Sequence, residues 1–383
     1  MSKTEAPIRH ASDARGLSDG GEADASLPDA VLRTSPADFL VDELPAYEPS
    51  GAGSHLYVTF RKTGRTTPDA VRAIAQALGA EPRDAGYAGM KDRHAVTTQT
   101  ASFAVPLDLD ASALFEADLP GIELLSQQRH GNKLKTGHLR GNRFTVTLRE
   151  LAAAAFPGVE RRLQAIATSG VPNAFGPQRF GRDGDNPERA FAWVCGQARP
   201  PRDPRERRLL FSALQSLLFN RVLAAREADG SWSSALVGDW AQKHDSGGLF
   251  LVKEEEHADA AARALAGLVS PTGPMFGVSM RWPEGKPLEL ERAVFDASGV
   301  TAEALERHKQ LGEGTRRAMR LKVDDLTWES HPSEGRLKVG FTLAKGGYAT
   351  TVLERVCRLR DASRAPQREA LPSSAATVAD EAD

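Results

Sequence analysis

Gly86-Tyr87-Ala88-Gly89-Met90-Lys91-Asp92-Arg93-His94-Ala95-Val96-Thr97-Thr98-Gln99 sets one carboxylate between two cations, in a segment that reads as a loop between two short strands. Lys91 and Arg93 on either side of Asp92 favour its ionised form, as suits a carboxylate that acts as nucleophile or base at neutral pH. The plainer reading of such a charge run is a solvated loop. Upstream, Leu56-Tyr57-Val58-Thr59-Phe60 reads as a strand, and Thr67-Pro68-Asp69 starts a helix running to Gly79, with threonine as the cap and proline at the first helical position. Downstream, Arg143-Phe144-Thr145-Val146-Thr147-Leu148-Arg149 alternates, which predicts a half-buried strand with Phe144, Val146 and Leu148 inward and both arginines outward. Leu337-Lys338-Val339-Gly340-Phe341-Thr342-Leu343 alternates in the same way and is followed by a predicted helix from Tyr348 to Arg360. Strands therefore stand at both ends of the body. Between them, Leu209 to Arg226 is helical and residues 229–300 mix short elements without a clear period, the pattern of an inserted domain. Arg199-Pro200-Pro201-Arg202-Asp203-Pro204 offers an entry point into it.

The chain's 383 residues suggest two domains, and no apolar run approaches the ~20 residues that span a bilayer. Residues 1–28 lack a signal-peptide pattern, so a cytoplasmic location is expected. Cys195 and Cys357, each read inside a helical pattern, are expected to be buried thiols and build neither a disulfide framework nor a metal site. The net charge of −2 argues at first against a nucleic-acid partner, but the ends carry the acid. Residues 1–28 hold five acidic and three basic side chains and residues 364–383 hold four and two, leaving the body at +2. Both tails are poor in residues to bury and are expected to be disordered.

Two further clusters suit RNA. Gly170-Val171-Pro172-Asn173-Ala174-Phe175-Gly176-Pro177-Gln178-Arg179-Phe180-Gly181 joins an aromatic that can stack on a base, an amide that can read its edge and an arginine that can hold a phosphate. The basic run from Arg129 to Arg143 contains no acid, and Lys133, Lys135, Arg140 and Arg143 in it read as a phosphate track. No Walker loop, dinucleotide fingerprint, HExxH or Cys/His metal spacing is present, so no cofactor is expected.

Taken in order, these motifs resemble the TruD family of tRNA pseudouridine synthases. Asp38-Phe39 resembles its N-terminal motif and Ala88 to Thr97 its catalytic motif, followed by Gly141-Asn142-Arg143-Phe144 and Val171 to Gly181. Ser212 to Asn220 resembles the opening helix of the inserted domain, and Pro271-Thr272-Gly273-Pro274 and Lys345 to Thr350 complete the series. The resemblance implies an α+β fold: a pseudouridine-synthase catalytic domain with a mixed sheet flanked by helices, at 29–198 and 321–363, interrupted by an inserted α/β TRUD domain at 199–320. It implies isomerisation of uridine 13 in the tRNA D-stem, with Asp92 as nucleophile, Phe175 stacked on a flipped-out base, and Asn173, Phe39 and Tyr348 contacting substrate. Arg33 falls where related enzymes can carry a lysine beside the aspartate, and Ala174 departs from the aromatic often found there. Arg179 is assigned to RNA phosphate, and a monomer is the default expectation. The rivals are a non-catalytic tRNA-binding or folding factor, which has no need of Asp92, and a glycoside hydrolase, which needs a second carboxylate that Asp84 does not evidently supply.

Overall fold

In the computed structural model, which describes residues 26–181 and 183–364, the two segments that alternate with a period of two are neighbouring interior strands of the largest sheet. Leu139–Leu148 pairs antiparallel with Arg336–Ala344 on one side and with Phe39–Pro45 on the other. The eight-stranded sheet runs Asp324–His331, Arg336–Ala344, Leu139–Leu148, Phe39–Pro45, Val96–Ala104, His55–Thr63 and Ile122–His130, with the short strand Gly86–Tyr87 beside Val96–Ala104. Only Phe39–Pro45 and Val96–Ala104 are parallel, so the sheet is mixed. Phe144, Val146 and Leu148 are buried as the alternation predicts, while Arg143 is exposed on the opposite face.

Two apolar clusters share the buried face of this sheet. Helix Phe156–Ser169 packs Phe156, Val159, Leu163 and Ile166 against the half built on Phe144, Val146, Val339 and Phe341. Helix Thr67–Ala77 covers the other half, setting Ala70, Val71 and Ile74 on Val58, Phe60 and Phe103. The seam between the halves is polar: Lys62 and Thr97, paired across neighbouring strands, and Gln99 are all fully buried there. The cap of the second helix is Thr66, whose hydroxyl accepts the Asp69 N–H, one residue earlier than the sequence suggests. That shift releases Thr67 for the seam.

The inserted body has its own four-stranded antiparallel sheet, in the order Leu249–Leu251, Trp240–Lys243, Val269–Met275 and Thr315–Ala318. The 25-residue helix Pro204–Ala228, capped by Asp203 with proline at its first position, contributes Phe219, Val222 and Leu223 to a cluster with Met275 and Met319. Helix Asn186–Val194 shares a second cluster with this long helix, through Trp193, Val194, Phe211 and Leu214, so 199–204 lies between two elements of one core. The bodies are joined by antiparallel pairing of Val171–Pro172 with Arg320–Leu321, and by the Arg355–Glu227 ion pair at 2.7 Å. Gly170, at φ 67°, is needed at that junction, since a side chain there would run into the Leu321 carbonyl.

The predicted helix from Tyr348 to Arg360 is cut short. Its helical part is Ala349–Leu353; the chain then turns, buries Val356 and Cys357, and forms strand Arg358–Asp361 parallel to Asp29–Leu32. Burial and strand pairing override local helix preference here. Cys357 is accordingly a buried thiol in a bend, its pKa pushed up to about 12 by burial, and Cys195 is only half-buried at the end of its helix. The tails lie outside the described residues at 1–25 and 365–383, but residues 26–28 belong to the body: Leu27 is buried and the Pro28 carbonyl accepts the Arg358 N–H. Among the described residues no helix is long and apolar enough to cross a membrane.

Candidate active site

The Asp92 loop is held from below by the polar seam. Lys62 donates from Nζ to the Asp92 carbonyl at 2.7 Å, the Lys91 N–H donates to the Thr67 hydroxyl at 2.9 Å, and that hydroxyl donates to Gln99 Oε1 at 2.9 Å. These contacts fix the loop through its backbone and leave the Asp92 side chain free to face outward. Burial pulls Lys62 down to about 8, with the Asp92 charge opposing and the Lys91 charge assisting.

The cations expected to flank Asp92 are spent elsewhere. Lys91 pairs with buried Glu43, and Arg93 donates to the Gly64 carbonyl at 3.2 Å. The partner of Asp92 is Arg33, from 59 positions upstream, with Nη2 at 2.9 Å from Oδ2. Arg33 is buried, bonds Asp361 through Nη1 at 2.7 Å and lies 4.1 Å over the Phe39 ring. It follows strand Asp29–Leu32 in the left-handed region at φ 58°, a conformation that costs a non-glycine residue about 1–2 kcal/mol and aims the side chain at the site. Asp92 Oδ1 accepts the His94 N–H at 3.0 Å. Phe39 is itself buried and forms the floor under Arg33.

The Phe175 loop is bracketed by Asn220, whose side chain accepts the Phe175 N–H and donates to the Phe175 carbonyl, both at 2.9 Å. Phe219 meets the Phe175 ring edge-on at 5.5 Å, and Arg317 lies 4.1 Å over the ring. The Asn173 amide is engaged: it donates to the Ala318 carbonyl at 2.8 Å and accepts from Arg317 at 2.6 Å. Arg179 donates to Ser212 and Ser216 and stands 5.5 Å from the Phe175 centroid. Tyr348 is exposed. Phe39 on the Asp92 side, Val171 two residues before Asn173, and Ala349 one after Tyr348 all belong to one apolar cluster.

The basic run is stapled to the Asp92 loop. The Gly137 N–H donates to the Ala88 carbonyl at 2.7 Å, and Tyr57, Ala88, Leu134 and Leu139 pack together. A side chain at Gly86 would strike the Leu134 carbonyl, so glycine permits this approach. Lys135 and Arg140 are exposed and Lys133 is half-buried beside Gly86. Arg143 is exposed on the sheet face that also carries Tyr57, opposite the face of Lys62. Tyr47 adds to the surface, stacked on His130 and bonded to His138 at 2.9 Å.

Lys62, Asp361 and Arg317 were not singled out from the sequence. Lys62 had a readable signal: the period of two that buries Val58 and Phe60 carries it onto the same face. Asp361 and Arg317 had none, since each meets its partner across more than 140 residues.

A mixed sheet carries the arginine-bound aspartate, and it is joined to a second body that presents the arginine-clasped aromatic loop. The family model described as tRNA pseudouridine synthase D (TruD) matches residues 24–187 and 202–356. A tRNA pseudouridine synthase D from Anaeromyxobacter dehalogenans (strain 2CP-C) is 46% identical over 87% of this chain and 95% of its own. One from Thermus thermophilus is 38% identical over 86% and 88%. The crystal structure of a Methanosarcina mazei protein described as a tRNA pseudouridine synthase D superposes with a TM-score of 0.71 at 26% identity, covering 87% of this chain and 94% of that one. The chain belongs to the tRNA pseudouridine synthase D (TruD) family.

Proposed function

We propose that this protein isomerises uridine 13 in the D-stem of tRNA to pseudouridine, with Asp92 as the nucleophile and no cofactor. The observation that carries the reading is the Asp92 carboxylate, about a third exposed, fixed by Arg33 on one oxygen and by a backbone N–H on the other. The reaction breaks the bond from N1 to the sugar and forms one from C5 to the same carbon, with C5 losing its proton and N1 gaining one. An aspartate can begin it by attacking the sugar carbon or by assisting departure of the base. A target inside a folded stem has to be flipped out, and the half-buried Phe175 ring offers a stacking surface for it. Asn173 contributes by holding Arg317 against that ring, and Lys133, Lys135 and Arg140 beside the Asp92 loop supply positive charge for the surrounding backbone.

The test is tritium release from 5-tritiated uridine in unmodified tRNA, comparing the protein with Asp92→Asn. Release abolished in the variant, with tRNA binding retained, supports the reading. Binding without release by either protein would instead establish a tRNA-binding factor.

A further inference from the structure

The fully buried arginines of the inserted body, Arg226, Arg316 and Arg320, are each answered through their Nη atoms, while Arg221 on the long helix leaves Nε without a partner among the described residues. Arg226 is closed by Asp239 at 2.9 and 3.0 Å, and Arg316 by Glu291 at 2.7 and 2.8 Å. Arg320 donates to the carbonyls of Ala264 and Thr168 at 2.7 and 3.0 Å. Arg317, one residue from Arg316 and pointing the other way, meets no carboxylate among the described residues. Its Nη2 reaches Asn173 Oδ1, its Nε and Nη2 make long contacts of 3.4 Å to the Asn173 carbonyl, and Nη1 makes no hydrogen bond among the described residues. Arg179 repeats the pattern: Nε and Nη2 are spent on Ser216 and Ser212, and Nη1 is unspent among the same residues.

The two guanidiniums flank the same ring, at 4.1 and 5.5 Å from the Phe175 centroid. Burial, with the Arg179 charge adding to it, lowers Arg317 to about 10, which leaves it charged at neutral pH. Holding two half-buried cations together without an acid works against stability, and such departures from charge matching concentrate where a ligand completes the site.

We propose that Arg317 and Arg179 form a subsite for one RNA backbone phosphate, that of the linkage adjoining the uridine whose base stacks on Phe175. This rests on the tRNA reading above. The unspent Nη1 groups are the donors. A phosphodiester accepts charge-assisted hydrogen bonds from both without displacing the contacts that hold the arginines. Such a contact carries no sequence information and sets the position of the sugar relative to the aromatic ring.

The experiment uses the full chain and tRNA transcripts carrying a single uncharged methylphosphonate, placed in turn at each linkage flanking uridine 13 and at control linkages. Dissociation constants are measured at several salt concentrations, with tritium release from unmodified tRNA measured in parallel. One flanking methylphosphonate is expected to weaken binding about tenfold and to lower the slope of log affinity against log salt by about 0.7 to 0.9. Arg317→Gln should weaken unmodified tRNA by a similar factor and lose nothing more at that linkage, with Arg317→Lys recovering part of the loss. The wild-type series needs no variant and is immune to misfolding. Tolerance of both flanking methylphosphonates by the wild type, or an undiminished penalty in Arg317→Gln, overturns the subsite. Release together with tolerance ends the subsite and leaves the synthase reading intact, whereas absence of both release and binding ends the reading and the subsite with it.

Discussion

Around Asp92, Arg33 is shared between two carboxylates and Lys91 is matched by Glu43; around Phe175, Arg317 and Arg179 meet, among the described residues, only an amide, a carbonyl and two hydroxyls. Both regions hold arginines, yet those beside Asp92 meet carboxylates and those beside Phe175 do not among the described residues. A balanced centre keeps its reacting carboxylate in a fixed geometry before substrate arrives. An unbalanced one gains its counter-charge from what it binds. The difference separates groups that should govern turnover from groups that should govern affinity.

The largest effect is expected at Asp92. Asp92→Asn should reduce turnover by at least about 10^3-fold, the scale of losing a group that acts on the reacting atoms, while the tRNA dissociation constant stays within about threefold. A collapse of binding would break the contrast. Arg33→Met removes the cation shared by Asp92 and Asp361 and should cost about 3 kcal/mol in urea denaturation, the lower end for a broken buried pair because Asp92 still reaches water. Phe175→Ala should act mainly on affinity, weakening tRNA binding by about 1–3 kcal/mol in a filter-binding titration. A loss confined to turnover would move Phe175 into the Asp92 group.

Lys62 gives the smallest and most diagnostic effect. With its pKa lowered to about 8, its ammonium donates to the Asp92 carbonyl below that pH and is lost above it. Turnover should therefore fall severalfold between pH 7 and 9, and Lys62→Met should flatten that limb. Stability should move the other way. Between about 8 and the ordinary lysine value the unfolded chain binds a proton that the folded chain does not, so this residue's contribution to stability rises with pH. A pH profile of turnover beside urea midpoints at the same pH values separates the two.

Much of this was legible before the structure. The alternation in 143–149 and 337–343 marks two neighbouring interior strands of the sheet, and the Asp92 and Phe175 loops announce themselves by unusual local composition. Apart from Lys62, what escaped has one physical cause: pairing between residues far apart in the chain leaves no local trace. Adjacent Lys91 and Arg93 look like the partners of Asp92, but the side chains point elsewhere and Arg33 takes the place. The segment 354–360 looks helical until its neighbour Asp29–Leu32 is supplied, and in the pair Arg316–Arg317 spacing alone gives no sign which residue faces Glu291 and which faces Phe175.

The parallel pairing of Asp29–Leu32 with Arg358–Asp361 brings residues from the two ends of the body side by side, and Arg33 inherits its aim from it. On the ribosome the residues of the Asp92 loop emerge well before the strand that seats Val31 and the carboxylate that steadies Arg33. A nascent chain that has not reached Arg358–Asp361 thus carries the whole aspartate loop and lacks the strand and the carboxylate that orient its cation.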